Sequence, residues 1–101
     1  LRRAARIDKS QEPIVKMLRG IGASVEPRLA RIGQGVPDLL VGFRGTNTLL
    51  ETKTGERDCD RKLTKDEQNW HERWSGQCAI VSTPDEAVEV VIRTAKGLGR
   101  I

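Results

Sequence analysis

Glu51-Thr52-Lys53 is the stretch of this sequence whose residue types call for a chemical explanation. It follows Leu49-Leu50 directly, although glutamate and lysine are poor strand formers. Side chains alternate along a strand, so Glu51 and Lys53 point to one face. Asp38 stands thirteen residues earlier, just after Pro37, at the head of a second apolar run, Asp38-Leu39-Leu40-Val41-Gly42-Phe43. If the two runs pair as an antiparallel hairpin centred near residues 45–46, Asp38 lies opposite roughly position 53, and two carboxylates converge with an ammonium. Oxygen ligands from two carboxylates suit Mg²⁺ or Mn²⁺, ions that keep several waters and can bridge a phosphate. Such an ion would stabilise charge building on phosphoryl oxygens and help orient or deprotonate a water. Lys53 would position that water or neutralise the transition state. Neither element is specific alone. A Glu-x-Lys pair on a strand is commonly a solvated edge with a weak ion pair, and Pro-Asp after glycines is commonly a turn.

The elements that must position these residues are legible in outline. Ile14, Val15, Leu18 and Ile21 recur at spacings of three and four, which predicts a helix over residues 8–20 ended by Gly20-Ile21-Gly22. Pro13 fits only in its first turn, placing the start near Asp8 to Ser10. A short extended piece is expected at Ala23 to Leu29, and Gly33-Gln34-Gly35-Val36-Pro37 breaks regular structure. The two apolar runs, Asp38–Phe43 and Thr48–Lys53, flank a turn expected at Arg44-Gly45-Thr46-Asn47. Thr54 to Arg61 reads as a polar loop. Thr64-Lys65-Asp66-Glu67 is a capping box that opens a helix to about Ser75, with Trp70 and Trp74 on its expected buried stripe. Cys78 to Ser82 reads as a buried strand. Thr83-Pro84-Asp85-Glu86 caps a last helix with Ala87, Val88, Val91, Ile92 and Ala95 on one face. The order α, β, β, β, α, β, α argues for a sheet flanked by helices.

Composition sets the bounds. At 101 residues one domain is expected, with no repeat or linker inside it. The 37% hydrophobic and 32% charged content reads as globular rather than disordered. No run of 18 apolar residues is present to span a membrane, and the basic opening Leu1-Arg2-Arg3-Ala4-Ala5-Arg6 lacks the apolar stretch of a secretory signal. Because residue 1 is Leu, the chain is expected to begin inside a longer gene product. A net charge of +4 and a pI near 9.5 make a polyanionic partner plausible without specifying one. Cys59 and Cys78, 19 apart, form no CxxC pair, so free thiols in a reducing, cytoplasmic setting are expected, with one disulfide still open.

Taken together, Gly35-Val36-Pro37-Asp38 and Glu51-Thr52-Lys53 resemble the PD-(D/E)XK nuclease signature, and more narrowly the virus-type replication-repair nuclease (VRR-NUC) domain. In that family an N-terminal helix carries a glutamate, followed by a glycine, a G-x-P-D strand start, an E-x-K strand, and a helix with a glutamine and an aromatic residue. The matching positions here are Glu12, Gly22, Gly35 to Asp38, Glu51 to Lys53, and Gln68 with Trp70, so the resemblance runs from about residue 8 to residue 93. It implies an α/β restriction-endonuclease-like fold, a mixed central sheet with helices on both faces. That domain would span 8–96, between a basic arm (1–7) and a short tail (97–101). It further implies Mg²⁺- or Mn²⁺-dependent cleavage of phosphodiester bonds in DNA. Asp38, Glu51 and the backbone carbonyl of Thr52 would ligate the metal, and Lys53 would serve the attacking water. Glu12 would complete the site directly or through water, although Pro13 is an awkward neighbour. Gln68 would reach the site or the DNA backbone.

Small stand-alone members of the family resemble Holliday-junction resolvases, which implies a homodimer acting on branched DNA in a bacterial or phage-infected cell. A two-fold dimer brings two sites to symmetry-related strands. Arg28, Arg31, Arg44, Lys62 and Lys65 border the proposed site in sequence and are expected phosphate contacts. Arg2, Arg3 and Arg6 are expected in a DNA-binding arm or a disordered one. His71 reads as a partly buried surface residue, and a zinc site from Cys59, His71 and Cys78 lacks a fourth ligand. The chief rival is a catalytically silent DNA-binding module of the same fold, against which the intact Asp38, Glu51 and Lys53 set stands. An interaction protein with incidental basic charge is the other.

Overall fold

A computed structural model describes residues 9–55 and 57–101. The expected basic arm, and a helix start as early as Asp8, lie outside the described residues. The first helix, α1 (Glu12–Gly20), takes Pro13 in its first turn and buries Ile14, Val15 and Leu18. Strand β1 (Ser24–Glu26) is three residues long and is followed by a 3₁₀ turn at Leu29–Ile32. Strands β2 (Leu39–Phe43) and β3 (Thr46–Thr52) form the expected hairpin. After a second 3₁₀ turn, Asp58–Arg61, come α2 (Lys65–Arg73), β4 (Cys78–Val81) and α3 (Pro84–Gly97).

These strands form one four-stranded mixed sheet in the order β1-β2-β3-β4. The first three run antiparallel and β4 lies parallel to β3. A parallel neighbour requires a crossover, and residues 53–77, with α2, supply it. Helices α1 and α3 pack together on one face. Their Ile14, Val15, Leu18, Ala87 and Val91 close over Leu39, Val41, Leu50 and Val81, which alternate along the strands as one buried set. The intervening residues, Leu40, Leu49, Glu51 and Ile80, belong to the other face, where α2 lies. The result is a mixed α/β domain, compatible with the restriction-endonuclease-like architecture.

Four expectations need correction. Strand β4 is an edge of the sheet rather than a buried strand: Val81 alone of its residues is buried, and Ile80 is 45% exposed. The hairpin turn is two residues, not four: Arg44 and Gly45 take φ of 55° and 77°, the positive pair of a type I′ turn, and Thr46 and Asn47 belong to β3. Glycine suits position 45 because its φ lies in the left-handed region that side-chain-bearing residues rarely adopt. The register is therefore Leu39 opposite Leu50, which by continuation sets Asp38 opposite Glu51 rather than residue 53. The polar segment 54–61 contains the 3₁₀ turn Asp58–Arg61 rather than loop alone, tied by Arg61 to Asp58 at 2.6 Å. Finally, Trp70 and Trp74 are not core. No residue of α2 is buried, and Trp74 is 46% exposed. The indoles instead stack on each other, centroids 4.7 Å apart at 18°, because α2 is short and covers only part of its face of the sheet.

Candidate active site

Asp38 enters the site as a strand cap. Pro37 is fully buried beside it, and the Asp38 carbonyl accepts the Leu29 N–H at 3.0 Å. Its Oδ2 accepts both the backbone N–H and the hydroxyl of Thr52, each at 2.8 Å. The amide of Thr52, two residues beyond the last β2–β3 pair, thus finds a partner. N–H and C=O of one strand residue project to the same side, so the Thr52 carbonyl also points toward Asp38. Gly35 makes this loop possible. Its φ is +80°, and a Cβ there would overlap the Asp66 carbonyl oxygen at the start of α2.

Glu51, directly opposite Asp38, is 3% exposed, and its Oε1 is buried without a hydrogen bond. Burial, then the neighbouring charges of Asp38 and Glu67, push its carboxyl up to about 9; Lys53 pulls the other way without prevailing. Lys53 extends β3, its N–H donating to the Val81 carbonyl at 2.9 Å. Its Nζ lies 3.8 Å from Glu51 Oε2 and 2.8 Å from Glu67 Oε1. Burial works against the ammonium, but the hydrogen bond and charge of Glu67, then Glu51 and Asp38, hold Lys53 above its ordinary value. Burial likewise opposes the Glu67 charge, yet Lys53 and the Thr64 N–H keep that carboxyl below the usual range.

Glu67 is the site residue that sequence reasoning missed. It was legible as the N3 glutamate of the Thr64 capping box, and that box is present: Thr64 N–H to Glu67 Oε1 at 2.8 Å, Glu67 N–H to Thr64 Oγ at 3.2 Å. Its second partner, Lys53, lies across the fold, and no local pattern announces it.

Other expected residues are placed unevenly. Arg31 lines a cleft of about 540 Å³ together with Asp38, Gly35, Thr64, Asp66 and Glu67. Lys62 and Lys65 flank Thr64 and are exposed. Arg28, in the left-handed conformation at φ 70°, precedes the 3₁₀ turn that carries Arg31. Arg44 is not brought to the site: it sits in the turn at the other end of the hairpin, over Phe43, its carbonyl accepting from Arg100. Gln68 is exposed on α2 and is not among the residues lining that cleft. Glu12 is the exposed first residue of α1, which packs on the opposite face of the sheet, and the charges acting on Glu51 do not include it. His71 is half-buried, its Nδ1 3.6 Å from Cys78 Sγ. Both cysteines are free thiols.

Among the described residues, no three His, Cys, Asp or Glu side chains close on a common point as metal ligands. A magnesium-like ion does not need three, since it is bound by one or two carboxylates with waters filling the rest. The donors that would be available to such an ion are Asp38, Glu51 and the Thr52 carbonyl. The unpartnered buried Oε1 of Glu51 and the crowding of carboxylates around it fit a divalent cation. Comparison with known protein families, curated proteins and solved structures found no match to this chain.

Proposed function

We propose that the chain is a metal-dependent DNA endonuclease of the PD-(D/E)XK type, with a VRR-NUC-like domain, that hydrolyses phosphodiester bonds. One observation carries this reading: Asp38 and Glu51 face each other at the end of the β2–β3 hairpin with the Lys53 ammonium 3.8 Å from Glu51. Two carboxylates beside a lysine, one of them buried with an unpartnered oxygen, is an arrangement costly to the fold. The cost is understandable where a cation and a phosphate are to be held.

Asp38, Glu51 and the Thr52 carbonyl would hold Mg²⁺ or Mn²⁺, which when bound supplies Lewis acidity toward the phosphoryl oxygens and acidifies water. The chain's own groups do the rest. Asp38 is fixed by its two bonds from Thr52. Lys53, held by Glu67, would present its positive charge to the attacking water and to the phosphoryl oxygens on which negative charge builds, while the P–O bond to the leaving sugar oxygen breaks on the far side of phosphorus. Arg31, which lines the cleft, would anchor a phosphate. Branched DNA such as a Holliday junction is the preferred substrate in this reading and a homodimer the working form, since two related sites can cut two symmetry-related strands.

The test is cleavage of labelled linear, flapped and four-way-junction DNA with Mg²⁺, Mn²⁺ or EDTA, beside Asp38→Asn. Cutting is expected only with metal, to vanish in Asp38→Asn, and to be fastest on the junction, by a protein that scatters light as a dimer. No cutting of any substrate, with salt-sensitive DNA binding retained, would replace the enzyme with a DNA-binding module. A monomer without junction preference would remove the resolvase form alone.

A further inference from the structure

The face of the sheet that α2 only partly covers leaves a hollow of about 570 Å³. Its walls are Leu29, Ile32, Val36, Trp70 and Trp74, its floor Leu40 and Leu49, and Asn47 and Gln77 stand among its lining. Ile32 is 73% exposed and Trp74 46%, large apolar surfaces that a small domain would otherwise bury.

The position of this hollow is as telling as its lining. Leu40 lies two residues beyond Asp38 on the same face of one chain segment, and Leu49 two residues before Glu51 on the same face of the next. The floor therefore begins roughly 7 Å from the carboxylates, about the reach from a phosphodiester to the base it carries. Val36 lines both the hollow and the cleft that holds Asp38 and Glu67, so the two spaces adjoin.

We propose that this hollow seats one unpaired nucleobase of the DNA strand whose phosphate lies at Asp38 and Glu51. Indole surfaces suit the flat face of any base. The lining is otherwise apolar, the Gln77 amide nitrogen being engaged by the Asn47 carbonyl, so the hollow takes a base by its face rather than reading its edge. The volume is that of a small-molecule site. A second copy of the chain would need an interface of roughly 1,000 Å² or more, which a single hollow does not provide. A base stacked in a duplex cannot enter, so the hollow requires a nucleotide released from its stack beside the cut, as at the opened branch point of a junction, and a flap supplies the same unpaired base in simpler form. This inference rests on the nuclease reading for its ligand, and the experiment separates the two.

Oligonucleotides with 2-aminopurine, either unpaired in a flap or paired in a duplex, are titrated into the full chain in Ca²⁺, with base fluorescence read directly. Wild type is expected to prefer the unpaired form. Trp74→Ala should reduce that preference about tenfold, as loss of one base–aromatic stack does, and Trp74→Phe should restore most of it. If Trp74→Ala does not fold, Ile32→Asn on the exposed rim is expected to act in the same direction. Equal affinity of wild type for both forms, or equal losses on both in Trp74→Ala, would overturn the base site and leave the nuclease reading standing. Wild type that cuts nothing, yet discriminates the unpaired base through Trp74, would support the base site and sink the nuclease. A wild-type dimer that Trp74→Ala turns into a monomer would overturn the proposal in favour of a second copy.

Discussion

Glu51 is a carboxyl placed where the fold disfavours its charge. The folded chain releases its proton only near pH 9, whereas an unfolded chain releases it near 4.5. Between those values the folded state holds the extra proton, so rising pH favours unfolding across that window and ceases to do so above it. With no metal present, stability should therefore decline from about pH 5 to pH 9, by at most ~1.4 kcal/mol per pH unit from this group. Glu51→Gln keeps the shape and removes the titration. It should flatten the decline, be more stable than wild type at pH 8.5 and be inactive in cleavage. Urea denaturation at pH 5, 7 and 8.5 in EDTA measures this; parallel curves for the two proteins would show that Glu51 is not the strained group. Added Mg²⁺ should recover stability at pH 8.5 in wild type only, because an ion that binds the folded state alone shifts the balance toward it.

At the scale of the element, α2 serves the site through its first turn. Glu67 closes the capping box with Thr64 and holds Lys53 at 2.8 Å. Thr64→Ala removes one cap bond and should cost ~1 kcal/mol. Glu67→Ala removes the reciprocal bond and also leaves a mostly buried ammonium without its nearest partner, so its cost should be at least twice as large. In a denaturation cycle with Lys53→Met the two positions should couple; additive costs would mean the pair contributes nothing. The capping box itself was legible in the sequence, as were Pro37-Asp38, Glu51-x-Lys53 and the long helix α3, because each depends on neighbours in the chain. The hairpin turn was not. Arg44 adopts a positive φ uncommon for a side-chain-bearing residue, while Asn47, a better turn former, is in a strand. The resulting register differs by two residues from the expected one, and a shift of two keeps every side chain on its face. Asp38 and Glu51 were therefore placed on the right face despite the wrong partner. The resemblance points to Gln68, whereas α2 turns position 67 toward Lys53, a placement that no local pattern marks.

Across the whole molecule, an acidic cluster is embedded in a chain of net charge +4. Affinity for DNA must then come from cations around the cluster, and their placement decides which of them matter. Arg31 shares the cleft with Asp38. Arg44 stands six residues from Asp38 along the hairpin, roughly 20 Å away, or about six base pairs of duplex. A phosphate held at the carboxylates is within reach of Arg31 and out of reach of Arg44, whose carbonyl is in any case tied to Arg100. Phosphate contacts are counted by the slope of log affinity against log salt concentration. Arg31→Ala should make that slope shallower by about one unit and weaken binding to every sequence alike. Arg44→Ala should leave it unchanged. The measurement is junction binding in Ca²⁺ over a range of salt concentrations. Equal losses from the two variants would mean that DNA lies along the length of the hairpin, and the acidic end would then be one contact among several rather than the centre on which the DNA is held.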